Sequence, residues 1–150
     1  MLSNYLTRDV VDLNVNVQNA EEAIRYAGEL LVKSNLIKPA YVDEMVDTYR
    51  NLGPYIVLAP HIAMPHSKPS DNVMKPCLSF CRLQQPIRFN HTENDPVHFV
   101  FALAGNDEFG HMALLQSLGK FLMDEENVKK LYTIHDFDGL IEILGKEDKV

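Results

Sequence analysis

The chain of 150 residues is poor in several things at once, and each shortage narrows what it can be. No apolar segment approaches the length of a membrane span, which argues against insertion in a bilayer. The N-terminus, Met1-Leu2-Ser3-Asn4-Tyr5, has no basic stretch followed by a hydrophobic one, so no secretory leader is expected. Basic residues are outnumbered, 14 against 21 acids, giving a net charge of −7. Such a surface opposes general binding to nucleic acid or anionic lipid. Cysteine is reduced to Cys77 and Cys81, four apart in a run that reads as a strand. Strand geometry puts their Cα atoms roughly 13 Å apart on one face, too far for a disulfide. They are expected to be reduced core thiols, and the cytoplasm is the compartment that implies. No further ligands stand at zinc spacing, and H-x-x-x-H and H-E-x-x-H are both missing, which disfavours a metal-dependent hydrolase. No repeat, linker or low-complexity tract breaks the sequence, so residues 1–150 are expected to form one domain.

What is present reads as alternating strand and helix. Val11, Leu13, Val15 and Val17 alternate with polar residues, the period of a half-buried strand. Asn19 with Glu22 predicts a capped helix start, followed by the stripe Ala20, Ala23, Ile24, Ala27, Leu30 and Leu31. Lys38-Pro39 opens a second helix with Val42, Met45, Val46 and Tyr49 on its buried face, and Gly53-Pro54 stops it. Three strand-like runs follow, Tyr55 to Met64, Cys77 to Leu83 and Val97 to Ala104. After the loop from Gly105 to Gly110 a helix is predicted with Leu114, Leu115, Leu118, Phe121 and Leu122 on one face. Asp124 caps a short helix, and a last one carries Phe137, Leu140, Ile141 and Leu144. The order β-α-α-β-β-β-α-α-α predicts an α/β fold of three α/β/α layers, a mixed sheet covered by helices on both faces.

Six histidines are present, and most need no function. His98 lies in an apolar run as a core or edge residue; His91 and His135 stand in polar connections. His61 precedes Ile62-Ala63-Met64 and is a neighbour of a site or a packing residue. His66 and His111 differ: each stands at a junction between an element and a loop. Pro65 fixes the backbone before His66, which gives its imidazole few conformations, as a nucleophile or phosphoryl carrier requires. His111 falls in the first turn of its helix, where the dipole disfavours protonation and predicts a neutral, hydrogen-bonding ring. Arg50, in the last turn of the second helix, offers a fork suited to phosphate oxygens. Spacing alone leaves two possibilities open: one anion site, or three unrelated polar residues at element ends.

The segment Ile62-Ala63-Met64-Pro65-His66 resembles the phosphorylation motif of the mannitol/fructose-type IIA proteins of the bacterial phosphoenolpyruvate-dependent sugar phosphotransferase system. Two flanking blocks support it, Gly53 to Pro60 before and Phe89 to Val97 after, and within the group the chain is most similar to the ascorbate-type IIA component. The resemblance extends over essentially the whole chain. It implies a cytoplasmic phosphocarrier needing no cofactor, with His66 as phospho-acceptor and Arg50 and His111 as companions. The implied partners are the carrier HPr as donor, a IIB protein as acceptor and, indirectly, a membrane IIC permease on separate chains, with an ascorbate- or pentitol-like substrate. Two departures stand out. His61 takes the place of the usual glycine, and Ser67-Lys68-Pro69 replaces a small residue, arginine and proline, with Lys68 keeping the charge. A nitrogen-related regulatory IIA-like protein, or a non-catalytic binding module in which both histidines are structural, are the competing readings.

Overall fold

The first elements form where local chemistry places them. In the computed structural model, which describes residues 2–148, strand β1 spans Val11–Val15 and helix α1 Ala20–Lys33. The Asn19 side chain accepts the Glu22 N–H at 2.9 Å, which satisfies one orphan amide of the helix start, while a Glu22 carboxylate oxygen takes the N–H of Gln18, the residue before the cap, at 2.7 Å. Helix α2 spans Pro39–Leu52 and ends at Gly53, whose φ of 81° few residues with a Cβ adopt. Gly28 of α1 is needed for a different reason. A Cβ there would lie 2.9 Å from both Val42 and Met45, so its absence lets α1 and α2 meet closely.

The three long apolar runs do not form three long strands. Tyr55 to Met64 folds back on itself instead. Pro54–Ile56 makes a 3-10 turn, and the chain then reverses at Pro60-His61, with Ile62 N–H donating to Ala59 O at 3.1 Å and Met64 N–H to Ile56 O at 2.8 Å. Proline at the second position of the turn and a positive φ at the third, 68° at His61, are the marks of a type II turn. Only Ile62–Ala63 is strand, β2. The second run breaks at Ser79 into β3, Cys77–Leu78, and β4, Phe80–Ile87. Ser79 is buried there because its hydroxyl donates to Ala27 O at 2.8 Å and its N–H to Ala102 O at 2.9 Å. The third run divides into β5, Val97–Val100, and β6, Leu103–Ala104. Helices α3, Glu108–Met123, α4, Glu125–Thr133, and α5, Phe137–Asp148, complete the chain, with Asp107 and Asp124 capping the first two.

Strands β1, β4, β5 and β2 lie in that order, with β1 parallel to β4, β4 antiparallel to β5 and β5 parallel to β2; β3 and β6 form an antiparallel pair. The apolar runs are continuous because both faces are covered. Ala63, Cys81, Val100 and Ala102 pack with α1 and α2, while their neighbours Ile62, Phe80, Phe99 and Phe101 pack with α3, α4 and α5. This is the expected three-layer mixed α/β arrangement, built among the described residues from six strands in place of four. Each fully buried phenylalanine of the second set contributes roughly 2–3 kcal/mol. Both cysteines are free and buried on the α1/α2 side, and burial pushes the Cys77 thiol up to about 12. Among the described residues no helix is long and apolar enough to cross a membrane.

His61 makes the Pro60 turn testable. A non-glycine residue at positive φ costs about 1–3 kcal/mol, but the His61 ring is held through Nδ1 at 2.7 Å from Pro96 O and lies edge-on to His98. The strain and the contacts offset one another. His61→Gly is expected to change unfolding free energy by less than about 1 kcal/mol, whereas His61→Val, with the strain and without the hydrogen bond, loses about 2–3 kcal/mol. Urea titration of the three proteins checks this.

Candidate functional site

His66 is presented by backbone that has no room to move. Strand β2 continues as hydrogen-bonded chain, with Phe101 N–H donating to Ala63 O and Leu103 N–H to Pro65 O, both at 2.9 Å. Met64 and Pro65 are buried, and the imidazole emerges half-buried at the end of this ladder. Its Nδ1 stands 2.6 Å from Met64 O. A carbonyl only accepts, so Nδ1 carries the proton and Nε2 is left with its lone pair. That is the tautomer of a nitrogen nucleophile, fixed here by the main chain.

His111 is brought to it from the other side of the sheet. Asp107 accepts the Gly110 N–H at 2.7 Å and its carbonyl the His111 N–H at 3.1 Å, which fixes His111 in the first turn of α3. Gly105 allows this turn to sit against the end of β6; a Cβ there would come within 2.7 Å of His111 Cβ. The two imidazole centroids are 5.6 Å apart, and the Tyr55 ring meets His66 edge-on at 5.7 Å. His111 is 8% exposed, and its Nδ1 is buried without a partner, so Nε2 is the nitrogen open to the cleft. An orphaned acceptor is tolerated better than an orphaned N–H, which favours the proton on Nε2. Burial, and then the neighbouring His66, hold His111 below the ordinary histidine range, with Glu108 opposing. At neutral pH the ring is therefore uncharged and can donate one hydrogen bond.

The histidines share a cleft of about 520 Å³ between the end of α2, the segment after His66 and the start of α3. Thr48, Ser67 and Lys68 supply its polar wall, while Leu52, Tyr55 and Met112 are apolar and exposed at its rim. Phe109, next to the cleft residue Glu108, is 85% exposed, a large unburied ring. Sequence reasoning missed the residue behind the cleft, Tyr41. Fully buried, it accepts the Ser67 N–H at 3.0 Å and donates to Ser67 O at 3.1 Å, which clamps the chain one residue past His66. Nothing in the sequence pattern distinguishes it from an ordinary core tyrosine.

Arg50 is not brought to the pair, contrary to the sequence expectation. Its guanidinium forms two bonds to the Glu21 carboxylate, at 2.6 and 2.9 Å, with Asp47 at 3.9 Å. Successive helix residues advance by about 100°. Arg50 therefore points about 200° round α2 from Thr48, toward α1 and away from the cleft. Of the other histidines, His91 caps its own turn by accepting the Asn94 and Glu93 N–H groups, and His98 lies against His61 and Tyr132. Among the described residues no three His, Cys, Asp or Glu side chains come together as a metal ion would require.

Burial, and then the neighbouring His61, hold His98 below the ordinary histidine value of 6.5, as burial does for His111. The folded form then binds fewer protons than the unfolded chain just below that value, so stability falls as the pH drops through it. Melting temperatures are expected to decline between about pH 7.5 and about pH 5.5, and His98→Gln should flatten the decline.

Comparison with known proteins gives the arrangement a context. Residues 4–147 match the family model described as "Phosphoenolpyruvate-dependent sugar phosphotransferase system, EIIA 2". The chain is 29% identical over 137 residues to the ascorbate-specific PTS system EIIA component of Escherichia coli K12, covering 91% of this chain and 89% of that one. It superposes on the crystal structure of mannitol IIA from E. coli with a TM-score of 0.82 at 32% identity, over 92% and 97% of the two chains. The same protein, solved in complex with the phosphorylated mannitol enzyme IIB, gives 0.82 at 32% identity, over 93% and 96%.

Proposed function

Since the chain belongs to the EIIA 2 family of the phosphoenolpyruvate-dependent sugar phosphotransferase system, we propose that it is a cytoplasmic phosphocarrier. In this reading His66 takes a phosphoryl group from the phosphohistidine of HPr and gives it to a IIB protein. The observation that carries it is the Nδ1 contact with Met64 O, which leaves His66 Nε2 as a fixed and accessible lone pair beside a second, neutral imidazole.

In the transfer, Nε2 forms a bond to phosphorus as the donor's N–P bond breaks, and the donor nitrogen keeps the electron pair of that bond. Positive charge arises on the His66 ring as it disappears from the donor ring, so no proton has to cross. Met64 O, already facing Nδ1–H, stabilises the developing imidazolium. His111 Nε2–H is placed to donate to a phosphoryl oxygen. Little covalent chemistry is asked of the protein; in-line positioning and dispersed charge provide the catalysis. The exposed rim of Leu52, Tyr55, Met112 and Phe109 suits two partners in turn, each bound by a small apolar contact and then released. A mannitol IIA of the same fold has been solved with its phosphorylated IIB, which supports a IIB acceptor here. The ascorbate-specific relative makes an ascorbate-like substrate the first to try.

Purified components test the reading. Phosphoenolpyruvate, enzyme I and HPr should label the chain with acid-labile, base-stable phosphate, which a IIB protein of the ascorbate type should then remove. A chain that stays unlabelled is not a carrier.

A further inference from the structure

A phosphoryl group on His66 would bring close to two negative charges into the cleft, and something cationic must face them. The residue expected to do so, Arg50, is engaged by Glu21 on the far side of α2. Among the described residues that line the cleft, Lys68 is the only lysine or arginine. It is also uncommitted, since no ion pair joins it to a carboxylate among the described residues; Glu108, on the same cleft, is not bonded to it. Its backbone is fixed from both sides. Tyr41 clamps Ser67 before it, and Pro69 after it confines Lys68 to extended conformations. The flexible stem thus starts from a defined point two residues past His66, and its ammonium is a mobile point charge with three donors.

We propose that Lys68 holds the phosphoryl oxygens on His66, with His111 as the second donor, in the place that Arg50 does not reach. The proposal rests on His66 being the acceptor. Lys68 moves no proton and forms no covalent bond; it neutralises charge while the N–P bond on His66 forms and breaks. An exposed lysine also suits a carrier, because a partner's approach desolvates it and strengthens the attraction when transfer takes place.

The test compares Lys68→Met, Lys68→Arg and Arg50→Ala with the wild-type chain. Two quantities are read: the rate of labelling by phospho-HPr, and the pH titration of the phosphohistidine followed by phosphorus NMR. In Lys68→Met, labelling is expected to slow by at least about tenfold. The titration of the phosphoryl group should move to higher pH, since a nearby cation favours its dianion. Lys68→Arg should restore both, and Arg50→Ala should match wild type. A purely structural role for Lys68 would leave the titration in place. Wild-type behaviour of Lys68→Met overturns the proposal alone, as does an Arg50→Ala protein that loses the label. A wild-type chain that never accepts phosphate overturns the His66 reading and this proposal with it.

Discussion

Replacing His66 by alanine is expected to give a folded protein that takes up no phosphate at all. The ring is half-buried, and truncation removes its hydrogen bond to Met64 O, worth about 1 kcal/mol, together with its edge contacts to Tyr55 and His111. The carbonyls and amides that build the ladder beneath it belong to other residues and survive. Melting temperature should fall by only a few degrees for a chain of this size. Labelling should fall to background, since no other imidazole can replace it. His111, the nearest, exposes 8% of its surface, and its ring is held by the packed start of α3. The measurement is acid-labile phosphate after incubation with the donor system, with circular dichroism to verify the fold. A labelled mutant would transfer the role to another nucleophile and remove the basis for the proposed function.

His111→Ala is expected to produce the second largest effect, and one of a different kind. The acceptor remains, so the protein is still labelled in the end, but a preorganised donor to the phosphoryl oxygens is lost. Removing one such donor from a site where charge develops costs about 10²–10³ in rate. His111→Gln, which can place an amide N–H in the same region, should recover part of the loss. Rapid-quench measurement of label transfer from phospho-HPr distinguishes a slow step from a missing one. If alanine transfers as fast as histidine, His111 serves packing alone, and the orphaned Nδ1 beneath it has no functional counterpart on the cleft side.

The local grammar of the N-terminal third was legible in advance. Asn19, Glu22, Pro39 and Gly53 delimit α1 and α2 where the structure has them, because caps act through neighbouring amides and need no tertiary context. The strands were less legible for a physical reason. A segment buried on both faces is apolar throughout, so periodicity does not reveal where it turns. Tyr55 to Met64 concealed a reversal that Pro60 alone signalled, and the other two runs concealed breaks at Ser79 and near Ala102. His66 and His111, whose rings lie together in the structure, stood out in the sequence because both sit at element ends, which sequence does mark. Arg50 was misplaced because being in the last turn of a helix says nothing about facing. Its phase relative to Val42, Met45 and Val46 puts it on the α1 side, where Glu21 waits. Under the proposal above, Lys68, two residues beyond His66 and lining the cleft, takes the part expected of Arg50.

The sheet has one further property that follows from which residues it turns each way. Toward α1 and α2 its central part shows small groups, Ala63, Cys81, Val100, Ala102 and Ala104, with the larger Leu83 and Ile87 further along β4; toward α3, α4 and α5 it shows Phe80, Phe99, Phe101 and Leu103. Around Ala63, Val100 and Ala102 the first side is smooth, while the other is corrugated by its phenyl rings. Evolutionary drift in these strands therefore meets opposite penalties at adjacent positions: enlargement jams the smooth side, and reduction hollows out the corrugated one. Because successive residues of a strand answer to different helices, the segment that carries His66 tolerates little change of size on either face.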